Sequence, residues 1–151
     1  MASEDIMAID RQGTGLAITR VCLGVFLLFQ GLGKYRWFAD TSLLAGRFQE
    51  WVDTVAPGSI SRWYLDHVAL PGIPIHARLV PLGEIVSGLA LIVGFYTQIF
   101  AFLAFFMVLN FAVASGIIFT YSYLTNGYGL PVLGSTLGLA VGGRRLPWSV
   151  R

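Results

Sequence analysis

An all-α membrane protein, a four-helix bundle with short interfacial helices between its first two spans, is the fold the sequence predicts. Three observations predict it. Of 151 residues, 56% are hydrophobic and only 12% charged, about half the charge of an average soluble domain; the mean hydropathy is +0.71. Four apolar stretches each approach the roughly 20 residues that cross a hydrocarbon core. The first two are separated by a segment with helical, amphipathic periodicity. A chain of this length makes one domain, 1–151.

The first span covers about residues 16–38, with Arg20, Gln30 and Lys34 as its polar members. The second covers 75–96 and contains Glu84; the third covers 97–120, with Asn110 near its middle. The connection between these two is so short that they form an antiparallel hairpin. A fourth, 123–141, is rich in glycine, and Gly134, Gly138 and Gly142 recur at helical spacing, a close-packing face for another helix. Whether that helix belongs to the bundle or to another subunit is not encoded in the spacing.

Residues 40–74 behave differently. Leu44, Phe48, Trp51, Val52 and Val55 fall on one helical face, with Arg47, Glu50, Asp53 and Thr54 off it. Pro57-Gly58 breaks the run, and Ile60, Trp63, Tyr64 and Val68 repeat the pattern. This predicts two short amphipathic helices in the membrane interface, with Trp and Tyr at headgroup depth.

Ten basic against eight acidic residues give a net charge of +2, which excludes the strongly basic footprint of a nucleic-acid binder. One cysteine, Cys22, excludes an intramolecular disulfide and a thiol pair. Glu4, Asp5 and Asp10 precede the first span, unlike the positive start of a cleavable signal peptide, so the first helix is expected to be retained. His67 and His76 both come from the connection at the start of the second span, which does not suit bis-histidine haem, and no metal-ligand spacing occurs. The density of arginines near the span ends places the termini on the cytoplasmic side.

Ionisable residues inside spans are costly and point to a site or a buried partner. Arg20 and Lys34 lie fourteen positions apart, close to four turns, so they share a face while standing about 20 Å apart. That face belongs to the bundle interior unless both side chains snorkel to opposite headgroup layers. Glu84 lies about 13 Å into its span, among Pro81, Gly83, Ser87 and Gly88. Its carboxyl is protonated, hydrogen-bonded to Asn110, or paired with a cation such as Lys34 or Arg78. Structural glue and a proton or ligand site are both open readings of these four residues.

Several short motifs resemble one family. Arg20-x-x-x-Gly24, then Gly31-Leu32-Gly33-Lys34 and Trp37-Phe38, are similar to the opening helix of DoxX-type proteins. Gly72-Ile73-Pro74 leading into Pro81-Leu82-Gly83-Glu84, with 88–94 and Thr97 following, extends the resemblance across most of the chain. The family's usual ending is met only in part: Gly142-Gly143-Arg144-Arg145 fits, but Ser149 is followed by Val150 where an acidic residue is usual.

The resemblance implies a bacterial inner-membrane protein tied to redox chemistry, with relatives in thiosulfate:quinone oxidoreductase and in terminal quinol oxidases. Lys34 and Glu84 would then line a quinone pocket, with Asn110, Phe38 and Tyr96 supplying further polar and aromatic walls. Quinone is the one cofactor this suggests. The chain carries no evident electron carrier, so other membrane subunits would supply one. The alternative is a non-catalytic accessory subunit, packed in lipid on a larger respiratory or photosynthetic complex. A transporter fits less well, because no internal repeat with broken helices is present.

Overall fold

The computed structural model describes residues 2–150, with side chains from Arg11 onward. Among these residues every regular element is helical. Helix α1 is Ala2–Gly33, and its portion Arg11–Gly33 is long and apolar enough to cross a membrane. A 3₁₀ turn, Tyr35–Phe38, ends it and reverses the chain into α2, Ser42–Thr54. Asp40 starts α2 by accepting hydrogen bonds from the Ser42 hydroxyl and backbone N–H. Those bonds, the hydroxyl's first, hold the Asp40 carboxyl below the usual carboxylate range.

After Pro57-Gly58 the chain enters α3, Ile60–Tyr64, whose N-cap Ser59 accepts from the Arg62 N–H at 3.1 Å. It continues directly into a π-helical turn, Leu65–Ala69. Helices α4, Ile73–Val93, and α5, Thr97–Ala114, are the second and third segments able to cross a membrane. They form the expected hairpin, turned by Gly94 at φ 77° and Tyr96 at φ 41°.

The remaining chain departs from expectation. The third stretch, predicted to run to residue 120, stops at Ala114. The Ser115 hydroxyl bonds back to the Phe111 carbonyl at 2.7 Å, and Gly116 takes a left-handed φ of 67°. The fourth stretch, predicted as one helix over 123–141, is two: α6, Tyr121–Thr125, and α7, Leu130–Gly142. Asn126 causes the break, its side-chain oxygen accepting from the Tyr128 N–H at 2.8 Å in a local turn. Pro131 then occupies the first turn of α7. At 13 residues, α7 is about 20 Å long, so among the described residues three helices, not four, have the length of a span by themselves.

Helix α1 packs along α4, α4 against α5, α5 against α7, and α7 back against α1. The tightest seam is α1–α4, and its closeness depends on glycine. A Cβ on Gly88 would stand 2.6 Å from the Leu28 backbone nitrogen and 2.8 Å from the Gly24 carbonyl oxygen. One on Gly31 would stand 2.8 Å from the Pro81 carbonyl oxygen. The spacing of Gly134, Gly138 and Gly142 predicts a close-packing face whose partner lies in the bundle or in another subunit. Within this chain Gly134 and Gly138 have nothing within 4 Å of a Cβ, and Gly142 meets only Leu16, at 3.4 Å.

Two apolar clusters follow from this packing. One runs through the helices, with Leu23, Leu27, Leu91, Ala101 and Leu139 buried. The other lies under the cap, where Leu44 and Phe48 of α2 meet Leu65, Ala69, Ala77 and Ala114. Arg47, Glu50 and Asp53 are exposed, as the amphipathic pattern requires. In the second half of the cap the buried face is Leu65 and Ala69, whereas Ile60, Trp63 and Val68 point outward. Outward Ile60 and Trp63 fit a helix lying in the membrane interface, with the tryptophan at headgroup depth. The π turn, whose Leu70 N–H to Leu65 carbonyl bond spans five residues, shifts the register by one only for the side chains that follow it.

Candidate functional site

Lys34 and Glu84 meet at the cap end of the α1–α4 seam. The geometry begins with the glycines: with hydrogen at Gly31 and Gly88, the two backbones come close enough for side chains one turn further on to touch. The Lys34 ammonium donates to both carboxylate oxygens of Glu84, each at 2.7 Å. Lys34 also reaches the Gln30 carbonyl oxygen at 3.3 Å. Its charge lies 5.9 Å from the Trp37 ring centre and 6.0 Å from that of Phe111, within the range of cation–π attraction. The two side chains are only 19% and 10% exposed.

This pair forms one wall of a cavity of about 550 Å³, within the size range of small-molecule sites. From α1, Phe26, Gln30 and Lys34 line it at four-residue intervals. Trp51 of α2 closes it from the cap, in edge-to-face contact with Phe111 of α5 at 5.9 Å. Tyr123 of α6, Tyr128 and Val132 complete the side facing α7. Tyr128 stacks on Phe26 at 5.6 Å, which ties the α6–α7 turn to α1. Chemically, the cavity is an aromatic, largely apolar slot with the Lys34 ammonium and the Glu84 carboxyl group at one end.

Of the four residues singled out from the sequence, only Lys34 and Glu84 come together. Asn110 faces a separate void of about 20 Å³, shared with His76, Phe48 and Tyr64. Arg78 is exposed and donates to the Pro74 carbonyl at 2.7 Å. Neither is a partner of Glu84. Phe38 and Tyr96 also lie elsewhere: Phe38 is exposed, and Tyr96 lines a second cavity at the opposite end of the helices.

Arg20 does not snorkel. It is fully buried, donating to the Ser149 hydroxyl and, at 2.9 Å, to the Trp148 carbonyl. His67 stacks on Trp63 with ring centres 5.2 Å apart, on the exposed side of the cap.

The sequence reading missed Phe26, Phe111, Tyr123 and Tyr128. Phe26 was within reach, since it shares the 26–30–34 stripe. Tyr123 and Tyr128 were not, because they were assigned to a continuous fourth helix. No curated protein and no solved structure gives a significant match to the chain. The model of the DoxX family matches residues 15–119, which takes in the ion pair, the cap and the α4–α5 hairpin but stops short of Tyr123. The chain therefore belongs to the DoxX family, a family of membrane proteins.

Proposed function

We propose that this protein is a quinone-binding subunit of a redox complex in the bacterial cytoplasmic membrane, with the Lys34–Glu84 cavity as the binding site. The observation that carries the reading is an ion pair set into the end of an aromatic, apolar slot. A quinone ring needs flat walls, an apolar path for its tail, and polar groups at its oxygens. Trp51, Phe111 and Phe26 provide the walls. The Lys34 ammonium donates to a carbonyl oxygen, and the Glu84 carboxylate exchanges the proton that reduction to quinol requires. Reduction takes two electrons and two protons; a partner subunit with its own carrier supplies the electrons, and water supplies both protons, passed one after the other through the Glu84 carboxyl, which is reprotonated in between.

In this reading α7 completes a four-helix membrane bundle as its short fourth span. The termini face the cytoplasm, which puts the cavity toward the outer leaflet.

The test is Glu84→Gln in the native complex. The amide keeps the shape and an acceptor for Lys34 but removes the charge and the proton exchange, so the variant should be less stable, and turnover per assembled complex should fall by about a hundredfold, the lower end for a lost acid–base group. Undiminished turnover would remove Glu84 from the chemistry.

A second reading, the non-catalytic accessory subunit, has its own support in the bare outer face of α7 at Gly134 and Gly138. Gly138→Leu would then detach a co-purifying subunit and leave turnover per assembled complex intact.

A further inference from the structure

A second cavity, of about 610 Å³, lies at the end of the helices away from Lys34 and Glu84. The turn between α4 and α5 forms one side of it, and the C-terminal tail that follows α7 forms the other. That turn joins two helices of membrane-crossing length, so it stands at the level of the lipid headgroups.

The charge around this cavity is one-sided. Arg144 and Arg145 line it, both are exposed, and among the described residues neither has a hydrogen bond or an ion pair. No described residue lining it is acidic. A third cation lies directly behind the wall: a Cβ on Gly94, a lining residue, would strike the Arg20 guanidinium. Arg20 is fully buried, and its acceptors, the Trp148 carbonyl and the Ser149 hydroxyl, are neutral. Its charge therefore reaches the cavity through a wall of low dielectric constant and adds to the pull on an anion there.

The rim is aromatic. Tyr96 and Trp148 line the cavity with 63% and 66% of their surface exposed, as suits the amphipathic rings that gather at the membrane–water boundary. Their backbones take left-handed φ values of 41° and 56°, and that of Arg145 takes 59°, a conformation that side-chain-bearing residues rarely adopt. The tail that carries Arg145 and Trp148 is anchored on both sides, by its bonds from Arg20 and by the Val150 N–H donating to the Val93 carbonyl at 3.0 Å.

We propose that this cavity binds the headgroup of an anionic phospholipid. Its phosphate lies on Arg144 and Arg145, and its acyl chains run past Ile99, an exposed lining residue in the first turn of α5. Basic pockets between membrane helices hold such headgroups. The chemistry recognised is a phosphate oxyanion, which a free phosphate shares; the aromatic rim at headgroup depth is what selects the lipid. The site is independent of the quinone reading of the Lys34–Glu84 cavity.

The experiment titrates the full chain, purified in a maltoside detergent, with dioctanoyl phosphatidylglycerol and counts bound lipid by native mass spectrometry. One lipid should bind saturably, at least about tenfold more tightly than dioctanoyl phosphatidylcholine, whose choline cancels the phosphate charge. Inorganic phosphate should not displace it. Replacing both arginines, Arg144→Gln with Arg145→Gln, should weaken binding about thirtyfold, about fivefold for each basic residue. The pair Arg36→Gln with Arg78→Gln removes the same charge at the cap end and should leave binding unchanged. Without lipid, the Arg144, Arg145 double variant should melt with the wild type, because those side chains have no partner among the described residues.

Equal affinity for the two lipids would overturn the proposal, as would equal affinity of the wild type and the Arg144, Arg145 variant. Equal losses in the two double variants would mean attraction by net charge alone, which also overturns the site. Displacement by inorganic phosphate would make the occupant a soluble anion and refute the lipid. A lowered melting midpoint in the unliganded Arg144, Arg145 variant would show that these arginines hold the tail itself, and that too refutes the proposal.

Discussion

Replacing Lys34 by methionine removes the charge that faces Glu84 while keeping most of the side chain's volume. At 2.7 Å and an effective dielectric constant near 20, the attraction between the two groups is about 6 kcal/mol. Withdrawing both ions from water costs several kcal/mol each, so the intact pair contributes little net stability. Breaking it is different. The single variant keeps the desolvation of Glu84 and loses the attraction that offset it, a loss of about 3–5 kcal/mol. The double variant Lys34→Met, Glu84→Leu leaves no unpaired charge and should regain most of that stability.

Thermal melting of the four proteins of this cycle, purified in the same detergent, gives the coupling as the non-additive part. The reasoning fails if Lys34→Met melts with the wild type, because the pair would then behave as an exposed one worth at most about 1 kcal/mol. It also fails if the two single losses add in the double variant.

The glycine seam gives a paired prediction. Gly88→Leu should destabilise the isolated protein by about 3 kcal/mol or more, because its contacts are backbone atoms that cannot move aside, while Gly138→Leu should leave the melting midpoint unchanged. The cap gives another. Cysteines placed at Phe48 and Asp53 should differ at least tenfold in labelling by a water-soluble maleimide, the second being the faster; equal rates would mean that α2 does not lie on the helices as described.

Much of the fold was legible because the bilayer imposes simple lengths and periods on a chain. The apolar stretches around Leu23, Leu91 and Ala104 announced three long helices, and the Leu44–Phe48 spacing announced α2 and its buried side. The failures have a common cause: local hydrogen bonding overrode hydrophobicity. Asn126 forms a turn inside a run apolar enough to be a helix. The Ser115 hydroxyl, bonded back to the Phe111 carbonyl, stands where α5 stops short of the predicted residue 120. For the site, the pairing of Lys34 with Glu84 was one of several partnerships the residues allowed, and composition could not choose between Lys34, Arg78 and Asn110. The choice depends on how closely α1 approaches α4, which glycine-to-backbone contacts decide.

Those contacts also explain why two cations can share one face of α1. Along that helix the inward stripe reads Arg20, Gly24, Leu27, Gly31 and Lys34. Each cation lies within one turn of a glycine, where the neighbouring backbone comes near enough to keep lipid out. At one end the closeness is filled by the C-terminal tail, which gives Arg20 the Trp148 carbonyl and the Ser149 hydroxyl. The tail is held in turn by a hydrogen bond from the Val150 N–H to the Val93 carbonyl at 3.0 Å. At the other end it is filled by Glu84. The two neutral acceptors of the tail serve the terminal nitrogens of Arg20, while its Nε has no partner among the described residues. Arg20 is thus closed in by the tail, whereas Lys34–Glu84 borders the aromatic cavity and, in the proposed reading, is the polar pair that meets the ligand.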